Sequence, residues 1–348
     1  MRTTCGIARA SKRRWALRAA GNRWLLLAAL LFSGTARAEI PGMTFVRQFG
    51  VAYIPLLIME EDRLIEKHAE ALGLPGFKVD WKVLTSGAVT NDGLLSGQLS
   101  FGIGAIPAML LLWDKTRGTA NAVRGVTGVA VMPTVLNTSN PAIQAIKDYT
   151  EADRIAVPAL RLSNAAMALE IAAAKVWGAE NWNRLDKQTV ALPHPDAAAQ
   201  LMGKGEITSH FASPPYDVFE MRSPQVHKVI SSFDIMGDTS LTVIWTTEKF
   251  AVANPRVVQA VYAAMQEAVA AINVDKRAAA DRYMRLSGDK IALEDLMAVL
   301  NDPHIQYSQT PLGVMKFASF MKQTGTLRTL PADWKDVFFP TAQALPGN

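Results

Sequence analysis

The stretch from Lys82 to Trp113 constrains the fold most, because it predicts a strand, a small-residue loop and a helix twice in succession. After the first loop, Asn91 and Asp92 predict the start of a helix, since both residue types are good N-caps. The second strand, Leu99 to Ile103, is followed by Pro107, which the first turn of a helix tolerates. Small side chains follow the two strands: Ser86, Gly87 and Ala88, and then Gly104, Ala105 and Ile106.

Repeated strand-loop-helix units predict an open α/β sheet. Ligands of such sheets bind beyond the carboxyl ends of the strands, where helix N-termini attract anions. Each loop taken alone is equally compatible with an ordinary turn. Two such loops in succession predict one anion-accepting edge.

Short motifs in this stretch follow one another in a recognisable order. They are Ser86-Gly87, Leu94-Leu95-Ser96-Gly97, Phe101-Gly102 and Gly104-Ala105-Ile106-Pro107. The order resembles that of the solute-binding proteins of ABC importers for sulfonates, taurine and nitrate, with their Ser-Gly loop, LxxGxxDFG segment and Gly-x-x-Pro junction. That family often has an acidic residue after the last glycine, where this chain has Ala105, so the resemblance does not name the ligand.

The resemblance continues through the second half of the chain. Ile155-Ala156-Val157 and Ser163 match the family's IAVxxGS pattern without its glycine, and Pro195-Asp196-Ala197 resembles its PxDAxxA. Relatives commonly have Trp or Asp before a Pro-Tyr pair, where this chain has Ser213 and Pro214, so one pocket wall differs. The resemblance implies a two-lobed type II periplasmic-binding-protein fold, in which the chain crosses twice between α/β lobes.

Length and composition agree with that organisation, because 348 residues are long for one core and suit two lobes. We expect residues 39–128 and 237–348 to form lobe 1, and residues 129–236 to form lobe 2. The function implied is capture of a small anionic or zwitterionic organic solute between the lobes and its delivery to an ABC permease. We expect a monomer.

Candidate ligand contacts lie at the strand-to-helix junctions of both lobes. They are Tyr53, Ser86, Gly87, Ala88, Gly104, Ala105 and Ile106 in lobe 1, and Arg161, Ser163, Asn164, Ser213 and Tyr216 in lobe 2. Arg161 is the sharpest candidate, because a guanidinium can pair with two oxygens of a sulfonate, nitrate or carboxylate. The alternative for Arg161 is an exposed loop residue, and for Tyr53 a ring packed in the core.

The N-terminal segment 1–38 has the layout of a secretory signal peptide. Eight Lys or Arg residues and no acidic ones precede and flank an apolar run, Trp24 to Phe32, and Ala36-Arg37-Ala38 forms a cleavage site. We expect cleavage after Ala38 and a periplasmic protein; Arg13-Arg14 leaves twin-arginine export open beside the general route. Removing eight positive charges from the formal +5 leaves −3, so the composition gives no support for nucleic-acid binding.

Catalytic motifs are absent from the sequence. The five histidines show no metal-ligand spacing, and no GxSxG, Walker A or complete GxGxxG motif occurs. Cys5 lies in the segment that we expect to be removed, so the mature chain could not use a cysteine nucleophile. We therefore expect no metal, no cofactor and no enzymatic activity. The alternatives left open are a cofactor-free enzyme and a ligand sensor on the same fold.

Overall fold

The structure, a computed structural model, describes residues 38–348. The predicted signal peptide therefore lies outside the described residues, apart from Ala38. Residues Ile40–Asn348 form one compact unit of mixed helix and sheet.

Strands and helices alternate through the first two thirds of the described chain, and helices dominate the last third. The strands are β1 (Gly42–Arg47), β2 (Lys78–Val83), β3 (Gly102–Gly104), β4 (Val123–Val131), β5 (Val135–Thr138), β6 (Ile155–Val157), β7 (Thr189–Ala191), β8 (Ser209–Ala212), β9 (His227–Ser231), β10 (Ser240–Thr247) and β11 (Gln306–Tyr307). The helices are α1 (Ile54–Glu61), α2 (Leu64–Ala71), α3 (Gly87–Leu95), α4 (Ile106–Thr116), α5 (Asn164–Trp177), α6 (His194–Met202), α7 (Tyr216–Glu220), α8 (Ser232–Met236), α9 (Glu248–Ala253), α10 (Pro255–Val274), α11 (Lys276–Leu286), α12 (Leu293–Asn301), α13 (Val314–Gln323) and α14 (Pro340–Gln343).

Three sheets organise these elements into two groups. The parallel pair β1-β2 and the four-stranded sheet β11-β4-β10-β3 belong to the first group, and the five-stranded sheet β7-β6-β8-β5-β9 forms the second. The chain enters the second group from β4 and returns from it in β10, and these two long strands pair antiparallel. The predicted two-lobed α/β fold with two crossings is confirmed.

Helix α10 is the main core helix of the first group. Its buried residues Val257, Val261, Ala264, Ala268 and Ile272 recur every three or four positions, which gives one apolar face. That face packs on α1 and α2. The helix is long and apolar enough to cross a membrane, but half of its most apolar window is buried in the core. It is a core helix of a globular fold.

Local boundaries differ from the sequence-based expectations. The strand predicted from Leu99 to Ile103 is only Gly102–Gly104 in the structure, and three further differences have a clear physical cause. Apolar residues at roughly helical spacing predict one helix from about Leu56 to Leu72. It is broken in two, because Arg63 adopts a left-handed conformation with φ of 52°. The helix expected near Asn91 begins at Gly87; Asn91 is buried within it and donates its Nδ2 to the carbonyl oxygen of Ala108 at 2.9 Å.

The third of these further differences lies at the end of β9. The residue types from Val229 to Asp234 predict a β-like segment over that whole stretch. The strand ends at Ser231, because a capping box starts helix α8 there. The Ser231 hydroxyl oxygen accepts from the Asp234 backbone N-H, and the Asp234 carboxylate accepts from the Ser231 N-H at 3.0 Å.

Direct contacts join the two groups around the crossings. Asn164 Nδ2 donates to the Ser240 carbonyl oxygen at 2.9 Å, and the Val51 N-H donates to the Pro214 carbonyl oxygen at 3.2 Å. The Tyr216 hydroxyl donates to both carboxylate oxygens of Asp289 at 3.1 Å. These contacts hold the first residues of α5 and α7 against the first group.

Candidate functional site

Two glycines bring the predicted junctions together. Gly104 ends β3 with φ of 147°, and a Cβ built on it would lie 2.8 Å from the Cα of Gly87, the first residue of α3. The Ile103 carbonyl oxygen accepts from Thr90 Oγ1 at 2.8 Å and from Gln48 Nε2 at 3.0 Å. The close approach therefore places the start of α3 beside the start of α4, so the two junctions lie side by side although β2 and β3 belong to different sheets.

Gly104→Ala is expected to lower the free energy of unfolding by about 2 kcal/mol or more, because the new methyl group would collide with backbone atoms of Gly87. Gly97→Ala is the matched control, since Gly97 also has a positive φ, of 76°, but a Cβ built on it would meet nothing within 4 Å. Strain at Gly97 alone should cost about 1 kcal/mol. Urea denaturation of both variants measures the difference, and equal losses would contradict the crowding argument.

The second group contributes its own helix start at Ser163 and Asn164. Ser163 caps α5, because its Oγ accepts from the Ala166 N-H at 3.1 Å, and the same hydroxyl donates to the Ala159 carbonyl oxygen at 2.8 Å. Asn164 is anchored by its bond to Ser240. The first N-H groups of a helix have no partner within the helix, so this end is available to an acceptor.

A small cavity of about 60 Å³ lies where these helix starts meet. Residues of both groups line it. The predicted contacts among them are Tyr53, Ser86, Gly87, Ala105, Ser163, Asn164 and Ser213. The structure therefore brings together predicted residues from both sides, although the ligand-binding role of each remains a prediction.

Five predicted contacts do not line this cavity. Gly104 lies behind Gly87, and Ile106 is fully buried in the core. Ala88 lies in the first turn of α3, one residue beyond the wall. Tyr216 lies behind the wall, with its ring stacked on that of His194. The fifth is Arg161.

The structure places Arg161 away from the cavity. Its backbone is left-handed with φ of 59°, and its guanidinium pairs with Asp186 and lies 5.1 Å from the centre of the Trp182 ring. It lines a separate pocket of about 210 Å³ within the second group, and its side chain is 53% exposed. Because the loop turns Arg161 outward, the expected contact with an anion between the lobes does not fit this geometry.

The described residues give the cavity no fixed charge. Among residues 38–348, no lysine or arginine lines it, and its titratable side chains are Tyr53 and His194. Burial raises the pKa of the Tyr53 phenol, and burial together with neighbouring His210 holds the pKa of His194 well below its usual value. Both side chains are therefore neutral near pH 7.

Helix N-termini supply the electrostatics that side chains do not. Helices α3, α4, α5 and α6, of 9, 11, 14 and 9 residues, all begin at the wall. Each N-terminus carries a partial positive charge of roughly half an elementary charge and free N-H donors. Their convergence favours an anionic group in the cavity.

Two oxygen atoms at the wall lack a partner. Thr134 Oγ1 and Asn164 Oδ1 are buried, and neither makes a hydrogen bond with any residue that the structure describes. Both residues line the cavity. Because buried polar atoms are nearly always hydrogen-bonded in native proteins, both suit a bound molecule: the Asn164 oxygen would accept from it, and the Thr134 hydroxyl can accept or donate.

Comparison with known proteins assigns the chain to a family. The sequence model described as the NMT1-like family matches residues 43–286, more than half of the chain. The chain belongs to the NMT1-like family. A search of curated proteins found no match.

Solved structures share the fold of this NMT1-like protein at low identity. The alkanesulfonate-binding protein SsuA from Xanthomonas axonopodis pv. citri, bound to MOPS, is 18% identical with a TM-score of 0.66, covering 89% of this chain and 100% of that one. SsuA from Escherichia coli is 17% identical with a TM-score of 0.62, covering 86% and 97%. The nitrate-binding protein NrtA from Synechocystis PCC 6803 is 14% identical with a TM-score of 0.60, covering 86% and 85%. These likenesses show the periplasmic-binding-protein fold.

Sequence reasoning missed His194 as a wall residue of this NMT1-like protein. His194 begins α6 and lines the cavity, and His210 on β8 lies directly behind it, with 2.8 Å between His194 Nδ1 and His210 Nε2. Nothing in their spacing marks the pair, although His210 precedes the loop at Ser213. No cluster of three metal-ligating side chains that could hold a metal occurs in residues 38–348.

Proposed function

We propose that this chain is the extracytoplasmic solute-binding component of an ABC importer, which captures a small anionic or zwitterionic organic solute between its lobes. The convergence of four helix N-termini on a cavity to which residues 38–348 contribute no charged side chain carries the proposal. Membership of the NMT1-like family and the fold shared with sulfonate- and nitrate-binding proteins support it.

The two oxygen atoms without a partner are the reason why the proposal includes zwitterionic solutes. An anionic group would bind at the helix N-termini, while Asn164 Oδ1 and Thr134 Oγ1 would accept hydrogen bonds from an amine or amide of the same molecule. We propose that the protein acts as a monomer in the periplasm after cleavage at Ala38, and passes the solute to a permease. We further propose lobes of residues 39–128 with 237–348, and 129–236; the strands of the five-stranded sheet all fall between Val135 and Ser231.

Thermal unfolding of the mature chain with a panel of nitrate, methanesulfonate, taurine and acetate tests the proposal. A ligand present at a hundred times its Kd stabilises the folded state by about 2.7 kcal/mol, a clear upward shift of the midpoint. We expect at least one oxyanion to shift it, while methylammonium, a cation of similar size, should not. A panel without any shift, or a shift by methylammonium alone, would contradict an anion site.

Arg161→Ala is expected to leave the affinity for the tightest member of that panel within twofold. The guanidinium is paired with Asp186 in a different pocket and contributes no donor to the cavity. Isothermal calorimetry on the parent and the variant measures this. A tenfold or greater loss of affinity would show that Arg161 contacts the ligand, which would require its loop to turn inward on binding.

A further inference from the structure

The carboxylate of Asp289 joins the two groups beside the cavity. Asp289 lies between α11 and α12 of the first group, and both of its oxygens accept from the Tyr216 hydroxyl at 3.1 Å. Tyr216 begins α7 of the second group and is only 6% exposed. The hydroxyl of Tyr283, a core residue of the first group on α11, donates to the same carboxylate. Asp289 therefore holds one phenol from each group.

The ring of Tyr216 packs directly behind the cavity wall. It stacks on the ring of His194, with centroids 5.7 Å apart and planes 17° apart, and His194 lines the cavity. Tyr216 also forms a small apolar cluster with Ala198 and Ala212, and Phe49 of the first group packs against this cluster and lines the cavity. A shift of α7 relative to the first group would therefore move residues of the wall.

Two other contacts hold α7 and the residues after it on the first group. Val218 packs on the first-group core, but apolar contacts have no preferred direction. Arg222 pairs with Asp295 on α12, but their side chains are 42% and 29% exposed, and an exposed ion pair contributes little. A hydrogen bond from a buried phenol to a carboxylate is directional and about twice as strong as one between neutral groups. The bond from Tyr216 to Asp289 therefore determines where α7 lies.

Resting on the proposed function, we propose that Tyr216 and Asp289 form a latch that holds the second-group wall of the cavity against the first group. Neither residue lines the cavity, so both are positioning residues. A solute that contacts both groups binds only molecules in which the two walls already face each other, or must bring them together itself. The measured affinity is then the intrinsic affinity multiplied by the fraction of molecules in which the latch is closed.

Small-angle scattering of the ligand-free mature chain tests the latch without any solute. Tyr216→Phe keeps the ring that stacks on His194 and removes only the hydroxyl, so we expect the two groups to separate and the radius of gyration to rise above that of the parent. Tyr283→Phe is the matched control, because it removes a phenol from the same carboxylate within the first group, and should leave the radius unchanged. A parent-like radius in Tyr216→Phe, or an equal rise in both variants, overturns the latch.

Asp289→Ala tests the same contact from its other side, and it decides the question if Tyr216→Phe fails to fold. This variant removes the acceptor and leaves Tyr216 unchanged, so the radius of gyration should rise as it does in Tyr216→Phe. The double variant should show no further rise, because each single change already breaks the one contact. A parent-like radius in Asp289→Ala, or additive rises in the double variant, overturns the pairing.

Calorimetric titration with the tightest oxyanion of the panel tests the effect of the latch on binding. We expect Tyr216→Phe to weaken binding about tenfold, since a hydrogen bond to a charged group is lost from the binding-competent arrangement. Tyr283→Phe should bind within twofold of the parent. An affinity in Tyr216→Phe that is also within twofold overturns the control of binding by the latch.

Recovery with solute separates an open latch from a damaged fold. At a saturating concentration of the same oxyanion, the radius of gyration of Tyr216→Phe should return to that of the parent, because the solute itself then joins the two walls. A radius that stays high at saturation shows structural damage and overturns the positioning role. If the ligand-free radii change as expected but no oxyanion binds the parent, the latch stands and the proposed function is wrong.

Discussion

Glu170→Gln should make the protein more stable than the parent at pH 8 by about 3 to 4 kcal/mol, and by nearly nothing at pH 4.5. Glu170 lies on α5, is only 5% exposed, and shares a pocket with Arg161 and Asp186. Burial raises the pKa of its carboxyl to about 8; the nearby Asp186 carboxylate adds to the rise, and the Arg161 guanidinium opposes it.

The direction follows from proton linkage. A carboxyl whose pKa is raised by folding binds its proton more tightly in the folded state, so its stabilising effect is complete below the unfolded value near 4.5. That effect is lost progressively as the pH rises toward 8. Glutamine cannot ionise, so the variant does not suffer this loss. A tenfold change in proton affinity between the unfolded and folded states corresponds to about 1.4 kcal/mol.

Urea denaturation of parent and variant at several pH values between 4.5 and 8 measures the difference between their free energies of unfolding. The contributions of the other titrating groups cancel in this difference. Glu180→Gln is the matched control, because Glu180 is an exposed carboxylate shortly after the same helix and should change stability by less than about 0.5 kcal/mol. A Glu170→Gln advantage that is the same at all pH values would contradict a raised pKa.

The sequence predicted the two strand-to-helix junctions of the first group because local chemistry specifies them. The chain can pass closely at these junctions because Gly87 and Gly104 have no side chains. The proline after Ile106 marks the start of the second helix. The start of α3 was placed too late for a similar reason. Asn91 has the residue type of an N-cap, but its amide is used in a tertiary bond to Ala108, which no local pattern reveals.

Arg161 and His194 show where sequence reasoning fails at the site. Arg161 lies at a junction, as predicted, but one left-handed residue turns its side chain toward Asp186 and Trp182. The ring of His194 is held by His210, which is 16 residues away in sequence and meets it only through tertiary packing. Long-range contacts of this kind decide which way a side chain faces at a junction. The sequence therefore predicted where the site lies, but not which polar side chains face it.

Ala105→Glu is expected to weaken binding of the tightest oxyanion in the panel by a hundredfold or more, about 2.7 kcal/mol. Ala105 is the N-cap of α4 and lines the cavity in an extended conformation that glutamate can adopt. The new carboxylate would lie among the helix N-termini and compete with the ligand's anionic group for the same N-H donors.

Ala105→Gln separates charge from bulk, because it adds nearly the same volume without a charge. If helix N-termini make the cavity favourable for anions, the free energy of unfolding of Ala105→Glu should exceed that of Ala105→Gln by about 1 kcal/mol at low ionic strength. That advantage should shrink as salt is added. Calorimetric titration measures the oxyanion affinity of the two variants, and urea denaturation measures their free energies of unfolding. Equal stability of the pair would show that the helix ends do not favour a negative charge here, and unchanged oxyanion affinity in Ala105→Glu would place the ligand away from Ala105.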